Sequence, residues 1–200
     1  SGACVLKPHG AKNNPSRAGV RSFAVSETHK TVWIWMGDRA PDASKVPDFG
    51  VLDNVPELHT TKRDKMTIRA NYELIIDNLL DLSHTCYLHD GILGNSETVE
   101  SDITVEQEGE DVVVGRHASE VTAPGLFAAL WPTRPDRVDK FTSMRWMPPS
   151  TMRLVTGICT PGAVPESGTG YPSIHMLTPE TDSTTHYFFT AAGVHMLSPE

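Results

Sequence analysis

The segment that most restricts the fold is NYELIIDNLLDLSHTCYLHDGILGN, residues 71–95. Leu74, Ile75, Ile76, Leu79, Leu80 and Leu82 cover most of a helical projection, and a helix apolar nearly all round is a buried one. The same stretch carries Asp77, Asp81, His84, Cys86 and His89. At about 100° per residue, Asp77, Asp81 and His84 share one face. A buried carboxylate has to be paired or bound to a cation, because a bare one is costly to desolvate. Asp81, three residues before His84, is placed to accept a hydrogen bond from that imidazole. His89 lies about 140° away from His84 on an ideal helix. For both imidazoles to reach one point, the helix has to widen or unwind across Thr85–Leu88, an irregularity often found at functional sites. Gly91 and Gly94 fit a helix end.

Two imidazoles in acidic company suit iron, zinc, copper or nickel. Two histidines and one carboxylate with open positions form the non-haem Fe(II) arrangement that activates O2. Single histidines are also satisfied by hydrogen bonds alone, so spacing leaves a metal site and a structural pair equally open. His84, Cys86 and His89 together would suit zinc. A small core cysteine is the plainer reading of Cys86.

Elsewhere the chain reads mostly as strands. Residues 20–37 alternate as a β-hairpin with polar SETHKT as its turn. Residues 38–60 are rich in Pro and Asp and read as a connector. A strand in TKRDKMTIRANYE leads into the helix, and ITVEQEGEDVVVGRHASE reads as a hairpin turning at Gly109. APGLFAALW reads as a short apolar helix or lid segment, and its GLFAALW as a candidate wall for an aromatic ring, though such a stretch is more often simple core. Four further strands follow, with a break at Pro148 and Pro149. The pattern predicts an α+β domain, an antiparallel sheet curved around a long buried helix. HMLTPE at 175–180 and HMLSPE at 195–200 are near-duplicates, read as chance. Net charge is -8 with 17 scattered Lys and Arg, which gives no footprint for nucleic acid. No apolar run reaches the roughly 20 residues of a membrane helix. Cys4, Cys86 and Cys159 suit a reducing cytoplasm better than a disulfide scaffold. The opening lacks signal-peptide character, and the chain is expected to be a fragment.

DNLLDLSHTCYLH resembles the D-x-x-H-x-x-x-x-H iron motif of the Rieske non-haem iron oxygenases. NYELIIDNLLDLSH, VWIWMGD, MRWMPPS and HMLTPETDSTTHYFF resemble the branch containing vanillate and dicamba O-demethylase oxygenase components. The resemblance fades after Phe189. It implies a remnant of an all-β Rieske [2Fe–2S] domain at 1–40, a connector at 41–60, and a helix-grip-like catalytic domain at 61–200 lacking its C-terminal helix. It implies His84 and His89 as ligands of a mononuclear Fe(II). Asp81 would link that iron to the Rieske histidine of a neighbouring subunit in a homotrimer. His175 would be a substrate-pocket residue, with a plain strand residue the equal alternative. Leu154 stands roughly where that branch has a pocket asparagine, which argues against dicamba as substrate.

CYLH is a C-x-x-H, half of the cluster pattern, but neither Cys4 nor Cys159 begins the C-x-H that must accompany it; the family's cluster pairs would precede Ser1. The third iron ligand, an aspartate, would follow Glu200. The implied reaction is monooxygenation of an aromatic acid such as vanillate by O2. Electrons would come from NAD(P)H through a reductase or ferredoxin and the [2Fe–2S] cluster. A hydroxylated aryl methyl ether then loses formaldehyde. Residues 1–200 alone are expected to be inactive. The rival reading is a non-catalytic binder of hydrophobic ligands with structural histidines.

Overall fold

The computed structural model describes residues 2–4, 19–53 and 64–192. The closing HMLSPE and the latter part of the expected connector lie outside the described residues. Contacts divide the chain into two units, residues 1–48 and 49–200.

In the first unit, β1 (Ala24–Thr28) pairs antiparallel with β2 (Thr31–Trp35), Ala24 opposite Trp35. The turn is narrower than SETHKT suggested. Only His29 and Lys30 form it, with φ 52° and 56°, and Ser26 to Thr28 and Thr31 join the ladder. A two-residue turn with both φ positive matches the natural twist of a strand pair, which is why it prevails over a wider polar loop.

The second unit holds a seven-stranded antiparallel sheet. Its strands are β3 (Asp64–Ile68), β4 (Asp102–Glu108), β5 (Asp111–Val121), β6 (Val138–Met147), β7 (Thr151–Cys159), β8 (Thr169–Thr181) and β9 (Thr184–Ala191). Their order is β3-β9-β8-β7-β6-β5-β4. Strands β4 to β9 form a meander, and β3 closes onto β9 with Thr67 opposite His186. Gly109, at φ 65°, supplies the left-handed residue of the β4–β5 turn. Pro148 and Pro149 lack the N–H a ladder needs, so β6 stops at Met147. These elements and the α+β class agree with the sequence pattern.

Helix α1 (Tyr72–Leu80) is shorter than its apolar run suggested. Asn71 caps it, its side chain accepting from Glu73 N at 2.9 Å. At Asp81 the backbone leaves the helix, with ψ 81°. The Asp81 carboxylate instead accepts from Ser83 N at 3.0 Å and Ser83 Oγ at 2.5 Å. This local bond competes with the helical ladder, and the chain continues as a 3-10 turn over Leu82–Cys86. The shared face expected of Asp77, Asp81 and His84 therefore ends at Leu80. Burial is one-sided as well. Ile75 and Ile76 are buried, Leu74 is 61% exposed, and both Asp77 and Asp81 are exposed. Neither is the fully buried carboxylate that the pattern predicted.

Two core clusters lie on the sheet. One joins Ile75, Ile76 and Leu82 to Met144, Met152 and Leu177. The other gathers Val121, Val138 and Ile158 around Phe127 of α2 (Gly125–Leu130). Between them the packing is incomplete, and a cavity remains.

Candidate metal centre and cavity

The 3-10 turn brings His84 and His89 together. Their rings stand edge-on, 67° between planes, with centroids 5.4 Å apart. The His84 carbonyl accepts from Tyr87 N at 3.0 Å and Leu88 N at 2.8 Å. The helix thus tightens into a 3-10 turn, where widening or unwinding was expected. His84 Nδ1 lies 2.5 Å from the Asp81 backbone carbonyl, not from the carboxylate. That contact requires Nδ1–H as the donor and leaves Nε2 as the lone-pair nitrogen, the orientation in which a ligating histidine is usually held. The hydrogen bond from the Ser83 hydroxyl keeps the Asp81 carboxyl below its ordinary range, so it is ionised.

The turn is fastened to the sheet by Arg116 of β5. Its guanidinium donates to the carbonyls of Leu82 (2.8 Å), Thr98 (2.7 Å) and Val99 (3.0 Å). Cys86 is buried with its sulfur 3.2 Å from Thr98 Oγ1. Among the described residues no three His, Cys, Asp or Glu side chains stand close enough to hold a metal. This contradicts the zinc set of His84, Cys86 and His89, and Cys86 is a core residue. The donor set present is two imidazoles, a borderline pair that fits iron once a carboxylate joins it.

Both histidines line a cavity of about 220 Å³. A dry cavity of about 150 Å³ accepts benzene, so this one has room for a single substituted ring. Its floor is set by strand register. Arg116 faces Thr142, Thr142 faces Thr156, and Thr156 faces Tyr171 across β5, β6, β7 and β8. All four line the cavity, as do Lys140, Phe127 and Leu154. Phe127 and Tyr171 stack at 6.3 Å and 11°, so GLFAALW does supply a wall.

His175 also lines the cavity. Its Nε2 is 2.8 Å from Ser173 Oγ and its Nδ1 2.6 Å from Tyr187 Oη. Burial pushes its pKa down to about 4 and that of Tyr187 up to about 12, so the imidazole is neutral at pH 7. Sequence reasoning missed Arg116, Lys140, Thr142, Thr156 and Tyr171. The signal was present for Lys140: strand alternation puts it on one face with Val138 and Met144, a core face.

Residues 68–199 match the family model described as Vanillate O-demethylase oxygenase C-terminal domain. The oxygenase component of dicamba O-demethylase from Stenotrophomonas maltophilia is 35% identical over 197 residues, covering 94% of this chain and 55% of that protein. The oxygenase component of chloroacetanilide N-alkylformylase from Rhizorhabdus wittichii is 33% identical over 190 residues, covering 94% and 54%. The crystal structure of dicamba monooxygenase bound to 3,6-dichlorosalicylic acid superposes with a TM-score of 0.87 at 30% identity, covering 96% of this chain and 56% of that one. The chain spans about half the length of the curated relatives it matches.

Proposed function

The chain belongs to the Rieske non-haem iron oxygenases, in the branch marked by the vanillate O-demethylase oxygenase C-terminal domain, and from that premise we propose that it is the iron- and substrate-binding part of a monooxygenase acting on an aromatic acid. One observation carries the reading. His84 and His89 stand edge-on and line one ring-sized cavity together with the aromatic Phe127 and Tyr171 and the polar Arg116, Lys140, Thr142 and Thr156.

In this proposal His84 through Nε2 and His89 hold a mononuclear iron, with a carboxylate from outside the described residues completing the set. Iron there supplies O2 activation and hydroxylation of a substrate C–H bond, with electrons from a Rieske [2Fe–2S] cluster fed by a reductase or ferredoxin. The chain's own residues do the rest. The Asp81 carbonyl and Arg116 fix the turn, so His84 is oriented before anything binds. Phe127, Leu154 and Tyr171 shape the slot and exclude water. His175, neutral and with both ring nitrogens bonded to Ser173 and Tyr187, presents a ring of fixed orientation to the substrate. Asp81, exposed and ionised beside His84, suits a link to the cluster of a neighbouring subunit in a homotrimer. Residues 1–40 would then be the end of the Rieske domain, 41–60 the connector and 61–200 the catalytic domain. A substrate hydroxylated on an aryl methyl ether collapses to a phenol and formaldehyde. Among the described residues no helix is long and apolar enough to cross a membrane. We place the protein in the cytoplasm because Cys86 and Cys159 are free thiols, as a reducing compartment keeps them. The relatives named above are oxygenase components, which sets the non-catalytic ligand-binder aside.

Anaerobic Fe(II) titration of the full-length protein tests the assignment. His84→Ala and His89→Ala are each expected to weaken binding at the mononuclear site by at least about tenfold, the lower end of what even indirect support of a metal site contributes. Parent-level binding in both variants would overturn it.

A further inference from the structure

Among the described residues the cavity lining contains two cations, Arg116 and Lys140, and no carboxylate, in a chain of net charge -8. Both are buried, at 9% and 7% exposure. Arg116 is committed to the three carbonyls that fasten the metal-bearing turn, although its Nε–H lacks an acceptor among the described residues. Lys140 is different. Its Nζ donates to the Phe141 carbonyl at 2.8 Å, Thr142 Oγ1 at 2.9 Å and Thr156 Oγ1 at 2.7 Å, and it lies 4.3 Å from the centre of the Phe127 ring. Every acceptor is neutral.

A buried ammonium with no counter-charge is an unfavourable arrangement for stability alone. Burial, with the Arg116 charge adding to it, brings the Lys140 pKa down to about 7. The acceptors are also replaceable. The two threonine hydroxyls are 2.9 Å apart, and Thr156 Oγ1 donates to the Phe141 carbonyl at 3.2 Å. Either can release the ammonium and keep a partner, so an incoming anionic oxygen can take its place without orphaning a polar group.

We propose that Lys140 anchors the acidic substituent of the substrate, that oxygen displacing a threonine hydroxyl from Nζ while the ring lies against Phe127 and Tyr171. The inference rests on the oxygenase reading for the identity of the cavity and adds the residue that selects an acid over a neutral arene. Leu154, apolar and in the same lining, offers no polar hold of its own.

The test is anaerobic calorimetric titration of the full-length, iron-loaded protein with 4-methoxybenzoate and with neutral 4-methoxybenzamide. The parent is expected to favour the acid. Lys140→Met should weaken the acid by at least about tenfold, a modest share of what losing one partner of a buried charge pair brings, and leave the amide nearly unchanged. Lys140→Arg should retain the preference. Thermal melting of Lys140→Met is expected to rise, since an uncompensated buried charge is removed, whereas a structural strut would melt lower. An unchanged acid-to-amide ratio in Lys140→Met would overturn the proposal, as would a parent that binds both ligands equally or neither. Should Lys140→Met fail to fold, Lys140→Gln is read by the same ratio. Iron content of the same samples reports on the oxygenase reading separately: acid preference without iron would sink that reading and leave the anchor standing.

Discussion

His175 shows how one buried side chain sets a pH limit. Its ring is held by Ser173 and Tyr187 and its pKa is depressed to about 4 by burial. An unfolded histidine titrates near 6.5. Below about pH 6.5 the unfolded chain therefore takes up a proton that the folded protein refuses until about pH 4. Stability is fully present above that window and lost as pH falls through it, by about 3 kcal/mol from this group. Urea melts at stepped pH should show the loss, and His175→Gln, which takes up no proton, should show a shallower one. Identical slopes would contradict the burial argument. The sequence showed only a histidine in a strand. Its depressed pKa comes from burial, in a sheet that sets it opposite Met152 of β7 and bonds it to Tyr187 of β9, an environment that only the fold creates.

At the scale of elements, the turn over Leu82–Cys86 carries His84, the ligand proposed above, and Arg116 holds it. Three carbonyls from two segments converge on one guanidinium. Arg116→Met should cost about 3 kcal/mol, because buried carbonyls lose their donor, and should weaken Fe(II) binding through His84. Arg116→Lys should recover little, since an ammonium cannot fork to carbonyls so placed. Chemical denaturation and metal titration read the two effects, and a variant of wild-type stability would show that the turn stands without this tie. The turn itself was half legible. The strands, both hairpins and the short helix at 125–130 followed from alternation, glycine and proline. The end of α1 was missed because Leu82 continues the apolar pattern, while the decisive signal was the Asp-x-Ser of Asp81 and Ser83. That pair caps a new turn in preference to prolonging the old helix.

Over the whole catalytic unit, the site arises where a β meander meets two helical segments that do not fill its face. Order along the chain gave the meander; nothing in it showed that β3 closes on β9. The polar floor was equally hidden, because Arg116, Thr142, Thr156 and Tyr171 are far apart in sequence and become neighbours only through register. The proposed iron pair came from resemblance, and where spacing asked the helix to widen or unwind, the structure has a tightened turn. The central claim is that His84 and His89 hold iron at the mouth of the cavity that holds the arene. The most direct measurement is electron paramagnetic resonance of the nitric oxide adduct of the Fe(II)-loaded full-length protein, with and without 4-methoxybenzoate. The account predicts a high-spin iron–nitrosyl signal that is absent in His84→Ala and changes shape when the acid binds. A signal that survives in His84→Ala, or that ignores the acid at saturation, would contradict it.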